Sequence, residues 1–430
     1  MTNKELYQAK LGSVEDCLDL IQSNDIVAVA GAACEPFTFL SHIDDAVRNL
    51  QNVTIVKSKD NHYTYLTDES LRGHVFTVSH LFHTDLRKAQ AMRLAAYIPS
   101  DLSTFSPIRC SVAPNNVFVA QVSDMDEDGT FCLPYCQMFE KEQLACAETI
   151  ILEVNPVFRP VRGGLKIHIR DVAKFFLSPK EPLTIPREEP TEVDKTIGDY
   201  IAQFIHDGDT IQLGIGRLPD AVAVRLKDKN DLGLHTEMFT SNMLGLVRDG
   251  NITGKYKTVD PGEHVGAFAL GDLALYQTLS EMPSCRIAAS SYVNDPAVIA
   301  RQDHMKSVNT CLEIDLMGQV ASESIGPVQF SGTGGAADFA SGALRSKGGR
   351  GIIAFNSTTK NGTISKIKSL LTPGAAVTIS RNLVDTIITE YGVAELKGRT
   401  VPERAMALIS IAHPDFRDKL TEEAKSYGFI

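Results

Sequence analysis

Two stretches of the chain read as the same device. Asn24-Asp-Ile-Val-Ala-Val-Ala-Gly31, running on to Pro36, and Asp209-Thr-Ile-Gln-Leu-Gly-Ile-Gly216, running on to Pro219, each lead a short apolar strand through a glycine turn into a proline-started helix. A repeated strand–turn–helix start predicts an α/β protein of two similar halves, because such units bury their apolar faces by stacking parallel strands between helices. At 430 residues the chain exceeds what one ordinary core accommodates. Between the halves, prolines at 179, 182, 186 and 190 stand among charged residues, a composition that blocks regular hydrogen bonding and suits a linker. We therefore expect an N-terminal domain over 1–185 and a C-terminal domain over 186–430.

Local signals fill in the halves. Ser13-Val-Glu-Asp16 reads as an N-cap with an acidic first turn, followed by a strand at 26–30, a helix through 40–47 and a strand at 53–56. In the second half Ile197, Ile201 and Phe204 share a helical face, and strands are expected at 352–355, 376–379 and 386–389. Thr400-Val-Pro-Glu403 combines a capping box with a first-turn proline and starts a helix through 409.

Composition narrows the function classes. A net charge of −11 argues against nucleic acid as partner, since phosphate neutralisation needs clustered Lys and Arg. No apolar run of membrane-spanning length occurs, and the start of the chain resembles neither a signal peptide nor a transit peptide, so a cytoplasmic protein without a membrane partner is expected. The eight cysteines are scattered, and Cys132-x3-Cys136 lacks a second pair for a four-ligand site; no metal is expected. His80-x2-His83 reads as two ordinary histidines.

The segment 210–239 is the most informative for chemistry. It reads as strand 210–213, the turn Gly214-Ile-Gly216, a helix over 220–227 and strand 232–236, with Glu237 following. A right-handed crossover puts the carboxyl ends of both strands on one sheet edge, where open α/β folds bind ligands. Glu237 is thus expected near glycines whose backbone N–H groups can approach a substrate oxygen, an arrangement suited to a nucleophile facing an oxyanion site. A purely structural turn beside a strand-end carboxylate fits the same pattern. Spacing does not separate Glu237 from Glu390, which also follows a strand. The turn is not a dinucleotide fingerprint, because Pro219 stands where a third glycine is needed. A second glycine cluster, Gly332-Thr-Gly-Gly335 followed by Ala336, offers N–H groups for a phosphate or pantetheine channel, or a turn before a helix. Near it in sequence, Ser357-Thr-Thr-Lys360 and Lys366 add hydroxyls and cations. His235, two residues before Glu237, shares its face on a strand and either orients the carboxylate or serves the core.

Taken in order, Gly214-Ile-Gly216, Leu234-His-Thr-Glu-Met238, Gly332-Thr-Gly-Gly335 with Asp338-Phe339, Thr389-Glu-Tyr-Gly-Val-Ala394 and Ile411-Ala-His-Pro-Asp-Phe416 resemble the acetyl-CoA hydrolase/transferase family. Met125-Asp-Glu-Asp-Gly129 and Glu153-Val-Asn-Pro156 extend the resemblance to nearly the whole chain. It implies two open α/β domains of the CoA-transferase, sugar-phosphate isomerase-like type. It also implies an enzyme exchanging CoA between a short-chain acyl-CoA and a small carboxylate such as butyrate, 4-hydroxybutyrate or acetate, with acyl-CoA as substrate and no permanently bound cofactor. By the same resemblance Glu237 is the nucleophile, with Gly214 and Gly216 at the oxyanion and Gly332, Gly334, Gly335, Ala336 and Lys360 toward the cofactor. A homo-oligomer, a dimer or a dimer of dimers, is expected. The alternatives are an acetyl-CoA hydrolase using the same Glu and a non-catalytic metabolite sensor. This chain departs from the family pattern at Arg217-Leu-Pro219, at Ala336 and across residues 57–63.

Overall fold

The computed structural model describes residues 1–58, 62–186, 188–359 and 362–430. They form two compact units, Met1–Pro186 with Gly266–Tyr292, and Arg187–Val265 with Val293–Ile430. The division beside the proline-rich stretch is therefore not simple, because residues 266–292, expected in the second half, belong to the first. Their hydrogen bonds explain it: Gln137 N–H donates to Ala267 O (2.8 Å) and Ala269 N–H to Tyr135 O (2.9 Å), while the Tyr276 ring packs 4.6 Å from that of Tyr135.

The first unit is built on seven parallel strands: β1 (Ile26–Val29), β2 (Val53–Lys57), β3 (Val75–Ser79), β4 (Ala95–Tyr97), β5 (Val117–Val122), β6 (Thr149–Val154) and β7 (Lys174–Leu177), in the order β4-β3-β2-β1-β5-β6-β7. Their near-continuous apolar runs reflect burial on both faces, and every residue of β5 is buried. In the second unit β8 (Thr210–Leu213), β9 (Gly233–Phe239), β10 (Met305–Asn309), β11 (Arg350–Ala354), β12 (Thr386–Thr389) and β13 (Gly392–Glu395) run in the order β9-β8-β10-β11-β12-β13, parallel except for the β12–β13 hairpin.

The internal repeat is physical. Gln22 N–H donates to Asp25 Oδ2 (2.7 Å) and His206 N–H to Asp209 Oδ2 (2.8 Å), each closing the turn that launches a central strand. The preceding residue is left-handed in both, Asn24 at φ 72° and Gly208 at φ 81°. Asp25 O then accepts Thr54 N–H and Asp209 O accepts Gly233 N–H, both at 2.8 Å, so each central strand hands over to its parallel neighbour identically.

Some local expectations are corrected. The helix through 40–47 is two short helices, Phe37–Ser41 and Ile43–Val47, broken at His42 (φ −112°, ψ 4°). Residues 376–379 form no strand; Ile379 makes one bridge to Val320 while Val377 stays exposed. Six of the eight cysteines are buried thiols. Among the described residues no group of three or more metal-ligating side chains gathers, and no helix is long and apolar enough to cross a membrane.

Candidate active site

The unit β8–α1–β9, with α1 spanning Arg217–Arg225, sets the site. Gly216 precedes α1 at φ 102°, a conformation that only glycine adopts without strain, and among the described residues no atom lies within 4 Å of where its Cβ would stand. Pairing of Thr210 with Gly233 and Ile211 with Leu234 fixes the register. β8 ends at Leu213, whose carbonyl accepts the Thr236 hydroxyl at 3.4 Å. β9 runs on to Phe239, so Glu237 lies inside the strand, not after it as its sequence implies. It is the first residue past the end of its neighbour, level with Gly214, and the one residue of β9 that is partly exposed.

The Glu237 carboxylate has two donors brought from far along the chain. Asn294 Nδ2 donates to Oε2 at 2.9 Å, and the backbone N–H of Gly335 also hydrogen-bonds the carboxylate. Burial pushes the Glu237 pKa up, and these two hydrogen bonds hold it back in part. Glycine is required at 335, since a Cβ there would overlap Glu237 Oε2 and Asn294 Nδ2; a Cβ on Gly334, at φ 56°, would stand 3.9 Å from Oε1. Both donors sit where helices begin, α2 (Pro296–Ala300) two residues after Asn294 and α3 (Ala336–Arg345) directly after Gly335. These helices pack closely where Ile299 meets Gly342, a position with no room for a side chain. Glu323 fixes the glycine loop from behind, its carbonyl accepting Ser331 N–H (2.8 Å) and its Oε2 the Thr333 hydroxyl (3.2 Å). A buried carboxylate with preset hydrogen-bond donors is an arrangement suited to nucleophilic attack.

Glu390 is differently employed. Ser357 donates to both its oxygens, through N–H (2.8 Å) and Oγ–H (2.6 Å). It lies in the wall of a cleft of about 950 Å³ within the second unit, together with Gly214, Arg217, Asn309, Thr359 and Lys366. Gly214 is thus both a cleft residue and the neighbour of Glu237. The wall includes none of residues 332–336; Gly334 and Gly335 face Glu237 instead, Gly332 is buried, and Ala336 opens α3 against the core. Lys360 lies outside the described residues. Arg217, where the chain departs from the family pattern, pairs with Asp194 at 3.7 Å. His235 is wholly buried, its Nε2 2.7 Å from Val293 O. Asn294 escaped the sequence reading because nothing local ties it to Glu237, 57 residues away; its one signal is a polar residue just ahead of an Asp-Pro helix start.

Comparison with known proteins decides the family. Residues 1–203 match the model of the acetyl-CoA hydrolase/transferase N-terminal domain, and residues 271–424 that of the C-terminal domain. The chain belongs to the acetyl-CoA hydrolase/transferase family. Its similarity to the 4-hydroxybutyrate coenzyme A transferase of Clostridium kluyveri is 39% identity, covering 98% of this chain and 99% of that one. To the succinyl-CoA:cyclohexane-1-carboxylate CoA transferase of Geobacter metallireducens it is 36%, over 99% and 97%. RipA from Yersinia pestis superposes over 100% of both chains with a TM-score of 0.94 at 32% identity. With CoA-transferase relatives over the full chain, this family member is a CoA-transferase.

Proposed function

We propose that this CoA-transferase moves CoA between a short-chain acyl-CoA and a small carboxylate by way of a thioester on Glu237. The observation that carries the reading is the desolvated Glu237 carboxylate held by Asn294 and the Gly335 N–H. A Glu237 oxygen attacks the thioester carbonyl, the carbon–sulfur bond breaks, and CoA leaves as thiolate from a mixed anhydride. The thiolate attacks the glutamyl carbonyl and expels the acid as its carboxylate, leaving CoA on Glu237. An incoming carboxylate reverses both steps, so kinetics are ping-pong.

Each tetrahedral step places negative charge on an oxygen within reach of fixed donors, and a preset donor of this kind contributes roughly 3 kcal/mol. Asn294 and Gly335 are the donors the geometry favours, with the Gly214 and Gly216 turn lining the same edge. The cleft beside Gly214 has the volume of a small-molecule site, and we assign the CoA moiety to it, with Arg217 and Lys366 as its cationic residues.

Incubation with an acyl-CoA in the absence of acceptor, followed by borohydride, tests this. The expected result is reduction of residue 237 to an alcohol, read as a lighter peptide carrying that residue, with Glu390 intact. An unmodified Glu237, or a reduced Glu390, overturns the assignment. Product analysis with and without acceptor acid separates transfer from hydrolysis, since a hydrolase releases free CoA with no acid present.

A further inference from the structure

Asn294 donates the side-chain hydrogen bond to Glu237, so whatever fixes Asn294 fixes the nucleophile. Its backbone lies at a vulnerable point. A four-residue helix ends at Val293, where the chain re-enters the second unit, and Asn294 follows before Asp295 caps the next helix. Carbonyls at a helix end have no intrahelical partner, so their direction depends on what else binds them. The Val293 carbonyl is bound by His235, whose Nε2 lies 2.7 Å away. A carbonyl only accepts, so Nε2 carries the proton and donates. His235 stands on β9 two residues before Glu237. One strand therefore presents the nucleophile and, through the histidine, holds the backbone that carries the nucleophile's hydrogen-bond donor. Both side chains that transmit the constraint, His235 and Asn294, are wholly buried, which leaves them little rotameric freedom.

We propose that His235 is a positioning residue for the transfer reaction, acting through the Val293 carbonyl to hold Asn294 against Glu237. This rests on Glu237 being the nucleophile. Displacement of a catalytic group on the order of 1 Å costs about a hundredfold in rate, so loss of the Nε2 donor is expected in kcat while acyl-CoA binding, assigned above to the cleft beside Gly214, is spared.

The test is a double-mutant cycle in the full chain. His235→Leu keeps volume and removes the donor; its kcat should fall about 10- to 100-fold with the KM for acyl-CoA within about twofold. His235→Gln, which carries an amide donor at nearly the same reach, should recover most of that loss. In an Asn294→Ala background His235→Leu should cost less than about threefold further, because the two residues act in series. Full turnover by a folded His235→Leu protein, or an equal loss in the Asn294→Ala background, overturns the proposal. If His235→Leu does not fold, His235→Asn, whose shorter amide stops short of Val293, replaces it against His235→Gln, with the same two overturning results. Borohydride trapping of the wild-type adduct is read alongside: absence of label on Glu237 sinks the nucleophile itself, whereas label with an unperturbed His235→Leu rate sinks only the positioning role.

Discussion

The two units open with the same strand and turn, and they treat the turn in opposite ways. In the first, Gly31 N–H donates to Glu140 Oε1 at 2.8 Å, and Phe139 N–H donates to Oε2 at 2.9 Å. The glycine is walled in, so that a Cβ would overlap Ser58 Oγ and come within 2.8 Å of Met138 Cε. In the second, the turn at Gly214 and Gly216 opens on a cleft, and the nearby Glu237 is the one partly exposed residue of its strand. The carboxyl edge of a parallel strand offers backbone donors to an anion. One unit satisfies them with its own buried glutamate; in the proposed function the other leaves its edge to a substrate. A common local device thus becomes structural or chemical according to what the rest of the chain places against it.

The sharpest way to break this comparison is the same substitution in both halves. Glu237→Gln removes the anionic nucleophile while keeping size, and kcat should fall about 10³-fold or more. Glu140→Gln should leave kcat within a few-fold. Steady-state assays on both folded variants decide it, and comparable losses would show that the two carboxylates do not divide the labour. Next in size is the glycine pair. Gly335→Ala drives a methyl into the Glu237–Asn294 contact and should lower kcat roughly a hundredfold at little cost in stability. Gly31→Ala overpacks a closed turn and should cost about 1–3 kcal/mol in denaturant unfolding with kcat nearly intact.

A smaller effect concerns pH. Burial raises the Glu237 pKa and the Asn294 hydrogen bond opposes the rise. Attack needs the anion, so kcat/KM falls as pH drops through that pKa, above the ordinary glutamate range. Asn294→Ala removes the opposing bond and should move this acid limb to higher pH; a limb that stays put or moves down would detach Asn294 from the carboxylate. The smallest effect belongs to Glu140, whose pKa burial also raises. A raised folded-state pKa means the folded protein binds more protons than the unfolded chain. Its contribution is present below the ordinary glutamate value near 4.5 and is lost as pH rises through the folded value. Stability against pH should be flatter over that window in Glu140→Gln than in the parent.

Much of this was legible in the residues. Apolar strands with period-breaking glycines at 31 and 214–216 announced two α/β halves, and ordered motifs around Leu234-His-Thr-Glu-Met238 announced the family. What could not be read is whatever depends on long-range closure. Asn294 and Gly335 reach Glu237 only after strands far apart in sequence pair, and no local propensity encodes that meeting. Gly332, Gly334 and Gly335 leave a phosphate or pantetheine channel and a plain turn equally open, because glycine permits any close approach; which neighbour approaches, here a carboxylate, is a tertiary fact. Residues 266–292 carry ordinary α/β patterning, and nothing in it names the compact unit they join.

That last segment has a consequence for how the protein is made. In the first unit the Gln137 N–H and the Tyr135 carbonyl are paired by residues 266–292, which also bring the Tyr276 ring against Tyr135. On the ribosome its first 186 residues are finished while those partners are still untranslated. At roughly 5–20 residues per second, the interval is on the order of 5–20 s. During that time the Gln137 N–H and the Tyr135 carbonyl lack those partners while the second unit's opening strands emerge behind them. A gene cut at the proline-rich stretch would make that interval permanent, so the first half made alone is expected to be less stable than the same unit in the full chain, and the order of synthesis is part of its folding problem.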